Sequence, residues 1–127
     1  LHHPEMFSAA CPLSASAGPL SLQAARENME RQKQTVTDAQ LEAWYKQYST
    51  LEMVNNMPDD QKKAVRWYID CGDDDGLSEV NSLVHIAMRK KEIPHEFRIY
   101  NGGHTWTYWR NALPTVLEFI SQGFHQF

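Results

Sequence analysis

The sequence predicts an α/β fold with about three parallel strands and flanking helices. Two observations predict it. Short apolar runs alternate with segments of helical periodicity, and polar turn residues directly follow the last two apolar runs. This alternation favours a parallel sheet with right-handed crossovers. We expect a single partial domain over residues 1–127, in which about residues 19–57 form a helical excursion or lid.

Three runs are predicted to be strands because they are short, rich in β-branched or aromatic residues, and closed by turn formers. They cover residues 6–13, 65–71 and 95–100. Pro12 lies in the first run and has no N–H to donate to a neighbouring strand.

An apolar stripe predicts a helix between the last two strands, with Ser78 capping its start and Pro94 preventing its continuation. A final helix is expected over about 109–122, where Pro114 should lie in the first turn or kink the helix. Residues 21–57 look helical and more polar. A second helix within them is expected to be capped by Thr37 or Asp38, and residues 55–59 form a turn.

Composition excludes several classes of function. Hydrophobic residues make up 42% and charged residues 22%, as in an ordinary globular domain. A formal net charge of -4 argues against a nucleic-acid partner. No apolar run approaches the roughly 20 residues of a membrane span, so no membrane partner is expected. Cys11 and Cys71 are interpreted as buried free thiols, and neither a metal nor an organic cofactor is expected.

Acidic and imidazole side chains follow neighbouring predicted strands. Asp73, Asp74 and Asp75 come after the second strand, and His104 comes after the third. Carboxyl ends of parallel strands meet at one edge of a sheet, so we expect these groups to lie close together. A carboxylate bonded to one imidazole nitrogen fixes the tautomer of a general base and stabilises the imidazolium that forms. The spacing leaves open which aspartate pairs with His104.

Other interpretations of these residues remain. Consecutive aspartates are also typical of a solvated turn, whereas a calcium loop needs acids at alternate positions and a distal glutamate. A lone histidine after a strand, such as His104, more often has a structural role than a catalytic one. His85, in the middle of a helix, and His95, at the start of a strand, are predicted to be structural or surface residues.

A nucleophile is not evident, because the sequence contains no G-x-S-x-G motif. The nearest approach is residues 14–18, with Ser16 in the position of the nucleophile and a serine in place of the first glycine. Pro19 and a polar stretch follow, rather than an apolar helix. A turn of small residues whose hydroxyls bond the local backbone is the favoured interpretation.

Three segments carry a resemblance to a known family: YIDCGDDD at 68–75, IPHEFR at 93–98 and GGHTWTYWR at 102–110. Together with HPEMF at 3–7, they resemble the putative esterase family of α/β-hydrolases. That family includes the feruloyl and acetyl-xylan esterases of carbohydrate esterase family 1, S-formylglutathione hydrolase and tributyrin esterases. The resemblance covers residues 1–16 and about 65–121.

The resemblance implies a serine carboxylic-ester hydrolase, of which this chain is the C-terminal portion. It assigns the triad acid to Asp75 and the triad histidine to His104. Trp106, Tyr108 and Trp109 could line an aromatic or sugar-binding pocket, with Trp106 as the candidate for substrate contact. Trp109 is expected on the apolar face of the final helix, where core packing is the alternative. The family's nucleophilic serine and oxyanion-hole amides would precede Leu1, so we expect the chain alone to be inactive. The substrate would be a small-molecule or polysaccharide-linked ester, and no cofactor is implied.

Two further expectations follow from the resemblance. The first strand would be central in the parent sheet, so it should pair with the N-terminal half of the same protein or with a second copy of the chain. The polysaccharide-directed branch implies secretion or a periplasmic location, and the formylglutathione branch implies the cytoplasm. The alternative function is a non-catalytic carbohydrate-binding module on the same scaffold, which would use its tryptophans for stacking.

Overall fold

The computed structural model describes residues 1–125 and confirms the predicted fold class. A three-stranded sheet consists of β1 (Ala9–Ala10), β2 (Arg66–Gly72) and β3 (His95–Tyr100), in that spatial order and all parallel. The helices are α1 (Leu22–Arg31), α2 (Asp38–Tyr48), α3 (Thr50–Asn55), α4 (Ser78–Lys90) and α5 (Trp106–Gln122). Short 3-10 turns occur at Pro4–Met6, Asp59–Gln61 and Gly123–His125.

The central strand β2 is covered on both faces. Ile69 belongs to a cluster with Val84 and Met88 of α4, whereas Tyr68 packs with Val116 and Phe119 of α5. Side chains alternate between the two faces of a strand, so α4 and α5 lie on opposite sides of the sheet. The register with β3 runs from Trp67 opposite His95 to Gly72 opposite Tyr100, which brings both carboxyl ends to the same edge.

The first strand is shorter than the predicted run of residues 6–13. Only Ala9 and Ala10 form a regular ladder with β2, and an isolated bridge joins Leu13 to Asp70. Pro12 accounts for the interruption because it lacks an N–H, although its carbonyl oxygen accepts from the Asp70 N–H over 3.2 Å.

Helix ends differ from prediction in two places. α5 begins at Trp106 rather than near 109, because the Thr105 side chain caps it by accepting from the Tyr108 N–H. Pro114 therefore lies inside the helix and not in its first turn. Ser78 is the first residue of α4, and the cap position is Leu77, which makes no side-chain cap.

The segment between β1 and α3 is a helical hairpin with a small core of its own. Ala25 and Met29 of α1 pack with Leu41 of α2, and Thr37, one of the two predicted caps, forms a capping box with Gln40. The hairpin leaves and rejoins the rest of the chain at one point. There the Thr50 N–H donates to the Ala17 carbonyl oxygen over 2.8 Å. A Cβ on Gly18, which has a φ of 69°, would overlap the Tyr48 carbonyl oxygen.

None of the helices within residues 1–125 combines the length and the hydropathy that crossing a membrane requires.

Candidate active site

The turns that follow β2 and β3 are joined to each other at the carboxyl edge of the sheet. The N–H groups of Asp73 and Asp74 donate to the carbonyl oxygens of Tyr100 and Gly102, each over 2.9 Å. The Asp73 carboxylate accepts from the Gly102 N–H, also at 2.9 Å. A Cβ at Gly72 would overlap the Gly102 carbonyl oxygen, so the close approach of the two turns requires glycine there.

Asp75 and His104 meet across these joined turns. His104 Nδ1 lies 2.9 Å from Asp75 Oδ2, and the other carboxylate oxygen accepts from the Leu77 N–H at 2.9 Å. The Asp75 side chain is 1% exposed, whereas that of His104 is 54% exposed. Because Nδ1 faces the buried carboxylate, Nε2 lies on the opposite side of the imidazole ring, where a general base would exchange its proton.

The electrostatic environment keeps Asp75 ionised. Burial alone raises the pKa of Asp75. Hydrogen bonds from the Leu77 N–H and His104, together with the nearby Ser14 hydroxyl, outweigh burial and lower the pKa below its usual value. A charged carboxylate beside Nδ1 favours a proton on that nitrogen, which leaves Nε2 as the basic atom of neutral His104.

Two tryptophan side chains lie next to each other beside His104. The Trp109 and His104 rings are nearly perpendicular, with centroids 4.8 Å apart, and Trp106 meets Trp109 in the same way at 5.3 Å. Trp106 is 74% exposed, and Trp109 is half-buried. Trp109, which the helical pattern predicts on the apolar face of this helix, packs on His104. Of the three aromatic residues at this helix start, Tyr108 is the one that is buried.

A buried carboxylate fixes the start of α5. Asp70 is fully buried and accepts from the hydroxyls of Tyr68, at 2.7 Å, and Tyr108. Burial, and then the bond to Asp70, raises the pKa of both tyrosines, so both remain donors. The Tyr108 ring also lies against Gly102, where an added Cβ would be 2.8 Å from Cδ2. The sequence pattern predicts Asp70 only as part of a strand. A single acidic residue inside an apolar run is the signal that could have identified it as a buried hydrogen-bond acceptor.

The two serines of the small-residue turn behave differently. Ser16 is exposed, and its hydroxyl accepts from the Gly18 N–H at 3.2 Å, the local bond expected of such a turn. No hydrogen bond joins Ser16 to His104 in the described part of the chain. Ser14 is buried, and its hydroxyl accepts from Trp109 Nε1 at 3.1 Å. The motif comparison singled out Ser16, and no pattern in the sequence indicated that Ser14 is the serine buried against Trp109.

His85 and His95 lie away from this edge and contact each other. His85 Nδ1 is 2.8 Å from His95 Nε2, and His95 Nδ1 is 2.8 Å from the Ile93 carbonyl oxygen. The His85 ring stacks on Phe97 with centroids 4.4 Å apart. Burial, and then the nearby charges of His95 and Arg89, lowers the pKa of His85. These contacts agree with the predicted structural role.

Residues 1–125 include no group of three or more His, Cys, Asp or Glu side chains arranged to hold a metal ion.

Both cysteines are free thiols. Cys71 is buried, Cys11 is half-buried, and burial raises the pKa of each. An open cavity of about 820 Å³ lies between the N-terminus and the α2–α3 region, and its lining includes neither Asp75 nor His104.

Known proteins match the chain at the level of family and fold. A ferulic acid esterase of known structure superposes with a TM-score of 0.70 and 31% identity, over 95% of this chain and 43% of that one. S-formylglutathione hydrolase from Staphylococcus aureus superposes with a TM-score of 0.65 and 20% identity, over 93% and 43%, and shows the fold alone. No curated protein matches.

The chain spans less than half the length of the solved structures it matches. The family model described as "Putative esterase" matches residues 1–120. Because that match covers almost the whole chain, the chain belongs to the putative esterase family.

Proposed function

We propose that this chain supplies the acid and the histidine of a serine carboxylic-ester hydrolase, with Asp75 and His104 as the catalytic residues. The observation that carries the proposal is the 2.9 Å contact between His104 Nδ1 and the buried Asp75 carboxylate, at the carboxyl edge of a parallel sheet. Membership of an esterase family gives this pair a reaction to serve.

The proposed reaction is acyl transfer through a serine. His104 Nε2 accepts the serine proton as the serine oxygen attacks the ester carbonyl, and then delivers that proton to the departing alcohol. Water next attacks the acyl-enzyme, again with His104 as the base, which releases the acid and restores the serine. Asp75 stabilises the imidazolium formed in each step. No cofactor enters this scheme.

The serine is proposed to lie in residues that precede this chain in a longer protein. The 127 residues contain no G-x-S-x-G motif, and the solved relatives are more than twice the length that the chain covers. Within the described residues β1 pairs with β2 alone, so its second edge has unpaired backbone groups. We assign that edge to the N-terminal half of the same protein, with a second copy of the chain as the other candidate.

The proposed substrate is a small-molecule or polysaccharide-linked ester with an aromatic or sugar component. Trp106 supports this choice because it is 74% exposed and reaches His104 through Trp109. An exposed indole offers a flat face on which a ring can stack. In the longer protein, Trp106→Ala should raise KM for methyl ferulate several-fold more than KM for p-nitrophenyl acetate.

The decisive experiment compares the 127-residue chain with a version extended upstream, using p-nitrophenyl acetate. The extended protein should hydrolyse the ester. The short chain should be slower by about a million-fold, the cost of losing a triad serine. Ser16→Ala is the control and should leave both rates unchanged. Strong activity of the short chain that disappears in Ser16→Ala would contradict the proposal and make Ser16 the nucleophile.

A carbohydrate-binding module is the second candidate, and the exposure of Trp106 favours it. Isothermal titration of the longer protein with xylan oligosaccharides would detect it, with Trp106→Ala as the control. Tight binding without hydrolysis of any ester would support the binding module over the esterase.

A further inference from the structure

Asp70 has a fixed position in the central strand, and Tyr108 of α5 is bound to its side chain. The Asp70 N–H donates to the Pro12 carbonyl oxygen, and its own carbonyl oxygen accepts from the Ser14 N–H. The side chain is fully buried, and each carboxylate oxygen accepts from one tyrosine hydroxyl, Oδ1 from Tyr108 and Oδ2 from Tyr68. Such a bond is held firmly, because losing it would leave a buried carboxylate oxygen without a donor.

Tyr108 connects this fixed carboxylate to the turn that bears His104. The Tyr108 N–H donates to the side-chain oxygen of Thr105 at 3.3 Å, and Thr105 directly follows His104 in the chain. The Tyr108 ring lies against Gly102, where an added Cβ would be 2.8 Å from Cδ2. One residue therefore contacts the chain both before and after His104.

The imidazole of His104 depends on this turn for its position. Its side chain is 54% exposed, and it contacts Asp75 at 2.9 Å and the ring of Trp109. Asp75 belongs to the turn that follows β2, so the contact forms only when the turn carrying His104 lies at the right distance from β2. Because Asp70 is itself part of β2, the bond between Asp70 and Tyr108 sets that distance.

We propose that Tyr108 is a positioning residue for His104: its hydroxyl, bonded to the buried Asp70 carboxylate, fixes the distance between β2 and the turn that carries the imidazole. The role rests on the proposed function of Asp75 and His104 and adds two residues to it. Both Tyr108 and Asp70 are buried, so they place the imidazole and do not contact the substrate. Their effect on rate is large for a small movement, because a displacement of about 1 Å at a catalytic group can cost about a hundredfold.

Tyr108→Phe is the most direct test, because it removes only the hydroxyl and keeps the ring against Gly102. In the longer enzyme, kcat for p-nitrophenyl acetate should fall about tenfold with KM within about twofold, since the substrate contacts stay in place. Tyr68→Phe is the matched control. It removes the other donor from the same carboxylate, but Tyr68 lies in β2 beside Asp70 and does not hold α5. Both variants should lower the urea midpoint, whereas kcat of Tyr68→Phe should stay within about twofold of the wild type.

Two further measurements separate positioning from a general loss of stability. Added to Asp75→Asn, Tyr108→Phe should lower kcat by less than about twofold, because the contact that it positions is already lost. The second measurement is the proton NMR resonance of His104 Nδ1–H, which the Asp75 carboxylate shifts to low field. It should move upfield in Tyr108→Phe and stay in place in Tyr68→Phe. Thr105→Ala, at an exposed residue, removes the acceptor of the Tyr108 N–H and should move the resonance in the same direction, with a smaller fall in kcat.

Equal values of kcat in Tyr108→Phe and Tyr68→Phe would overturn the proposal, and so would a His104 resonance that Tyr108→Phe leaves unchanged. A loss of about tenfold that persists in the Asp75→Asn background would contradict it as well. If Tyr108→Phe does not fold, the resonance in Thr105→Ala decides in its place. If the longer protein has no esterase activity, the proposed function fails, but the NMR comparison still decides the role of Tyr108.

Discussion

Strand β3 has a histidine near each end, and the two sites differ in the partner that each imidazole meets. At the carboxyl end, His104 faces the buried carboxylate of Asp75 and is itself largely exposed. At the amino end, His95 faces the neutral ring of His85 and a backbone carbonyl, and both histidines are half-buried.

The difference shows how a fold assigns roles to identical side chains. A carboxylate stabilises the positive imidazolium, so the carboxyl-edge site is suited to accepting a proton repeatedly. A second imidazole cannot do so. One ring must donate and the other accept, and protonating both rings would place two positive charges side by side. Burial is the largest cause of the lowered pKa of His85, and the charge of His95 is the second. The second cause agrees with the cost of placing two charges side by side.

The largest expected effect comes from removing the charge that distinguishes the carboxyl-edge site. Asp75→Asn in the longer enzyme should lower kcat by about 10⁴-fold, because an amide no longer holds the correct tautomer of His104. Steady-state hydrolysis of p-nitrophenyl acetate measures this. Asp74→Asn is the control, since Asp74 is exposed and uses only its backbone to join the turns. Equal effects of the two substitutions would remove Asp75 from the mechanism.

A smaller effect is expected when the two turns are forced apart. Gly72→Ala places a Cβ against the Gly102 carbonyl oxygen, and should reduce the free energy of unfolding by about 1–3 kcal/mol while also lowering kcat. Urea denaturation and ester hydrolysis measure the two consequences. Gly76→Ala is the control, because a Cβ there meets nothing within 4 Å. An unchanged Gly72→Ala enzyme would mean that the joined turns do not place His104.

The smallest expected effect is on the pH dependence of stability, and it comes from the His85–His95 pair. The folded-state pKa of His85 is lowered, so below about pH 6.5 the unfolded chain binds the proton more tightly than the folded chain does. The stability that His85 contributes is therefore present above that pH and lost as the pH falls through the folded pKa. Urea midpoints at pH 7.5 and 5.5 should differ less in His85→Phe than in the wild type. His2→Gln, at an exposed position, should match the wild type.

The sequence predicted the sheet well where apolar pattern and turn residues agree. The runs at 65–71 and 95–100 became β2 and β3, and the apolar stripe between them became α4. Prediction was poorer where single residues decide the outcome. Pro12 reduced β1 to two residues, and the Thr105 cap moved the start of α5 forward to Trp106. Such effects depend on local hydrogen bonds, which the spacing of hydrophobic residues does not reveal.

The sequence likewise predicted the central pair of the candidate site but not the residues that support it. Spacing placed an aspartate turn beside His104, and the family resemblance selected Asp75. The supporting residues were not predicted, because Ser14, Asp70 and Asp73 act through tertiary contacts with residues far along the chain. Asp73, one of the three aspartates that the spacing left open as the acid, instead joins the two turns, because its carboxylate accepts from the Gly102 N–H.

The point at which the α1–α2 hairpin leaves and rejoins the chain has a practical consequence for engineering. Ala17 and Thr50 are joined by a backbone hydrogen bond, so a short linker could replace residues 18–48 without separating the elements on either side, while Ser49 stays as the cap of α3. The hairpin's small core would leave with it, while Val54 of α3 stays packed against the sheet. The hairpin is therefore an exchangeable cassette, into which a foreign loop or reporter peptide can be grafted while the turns bearing Asp75 and His104 keep their contacts.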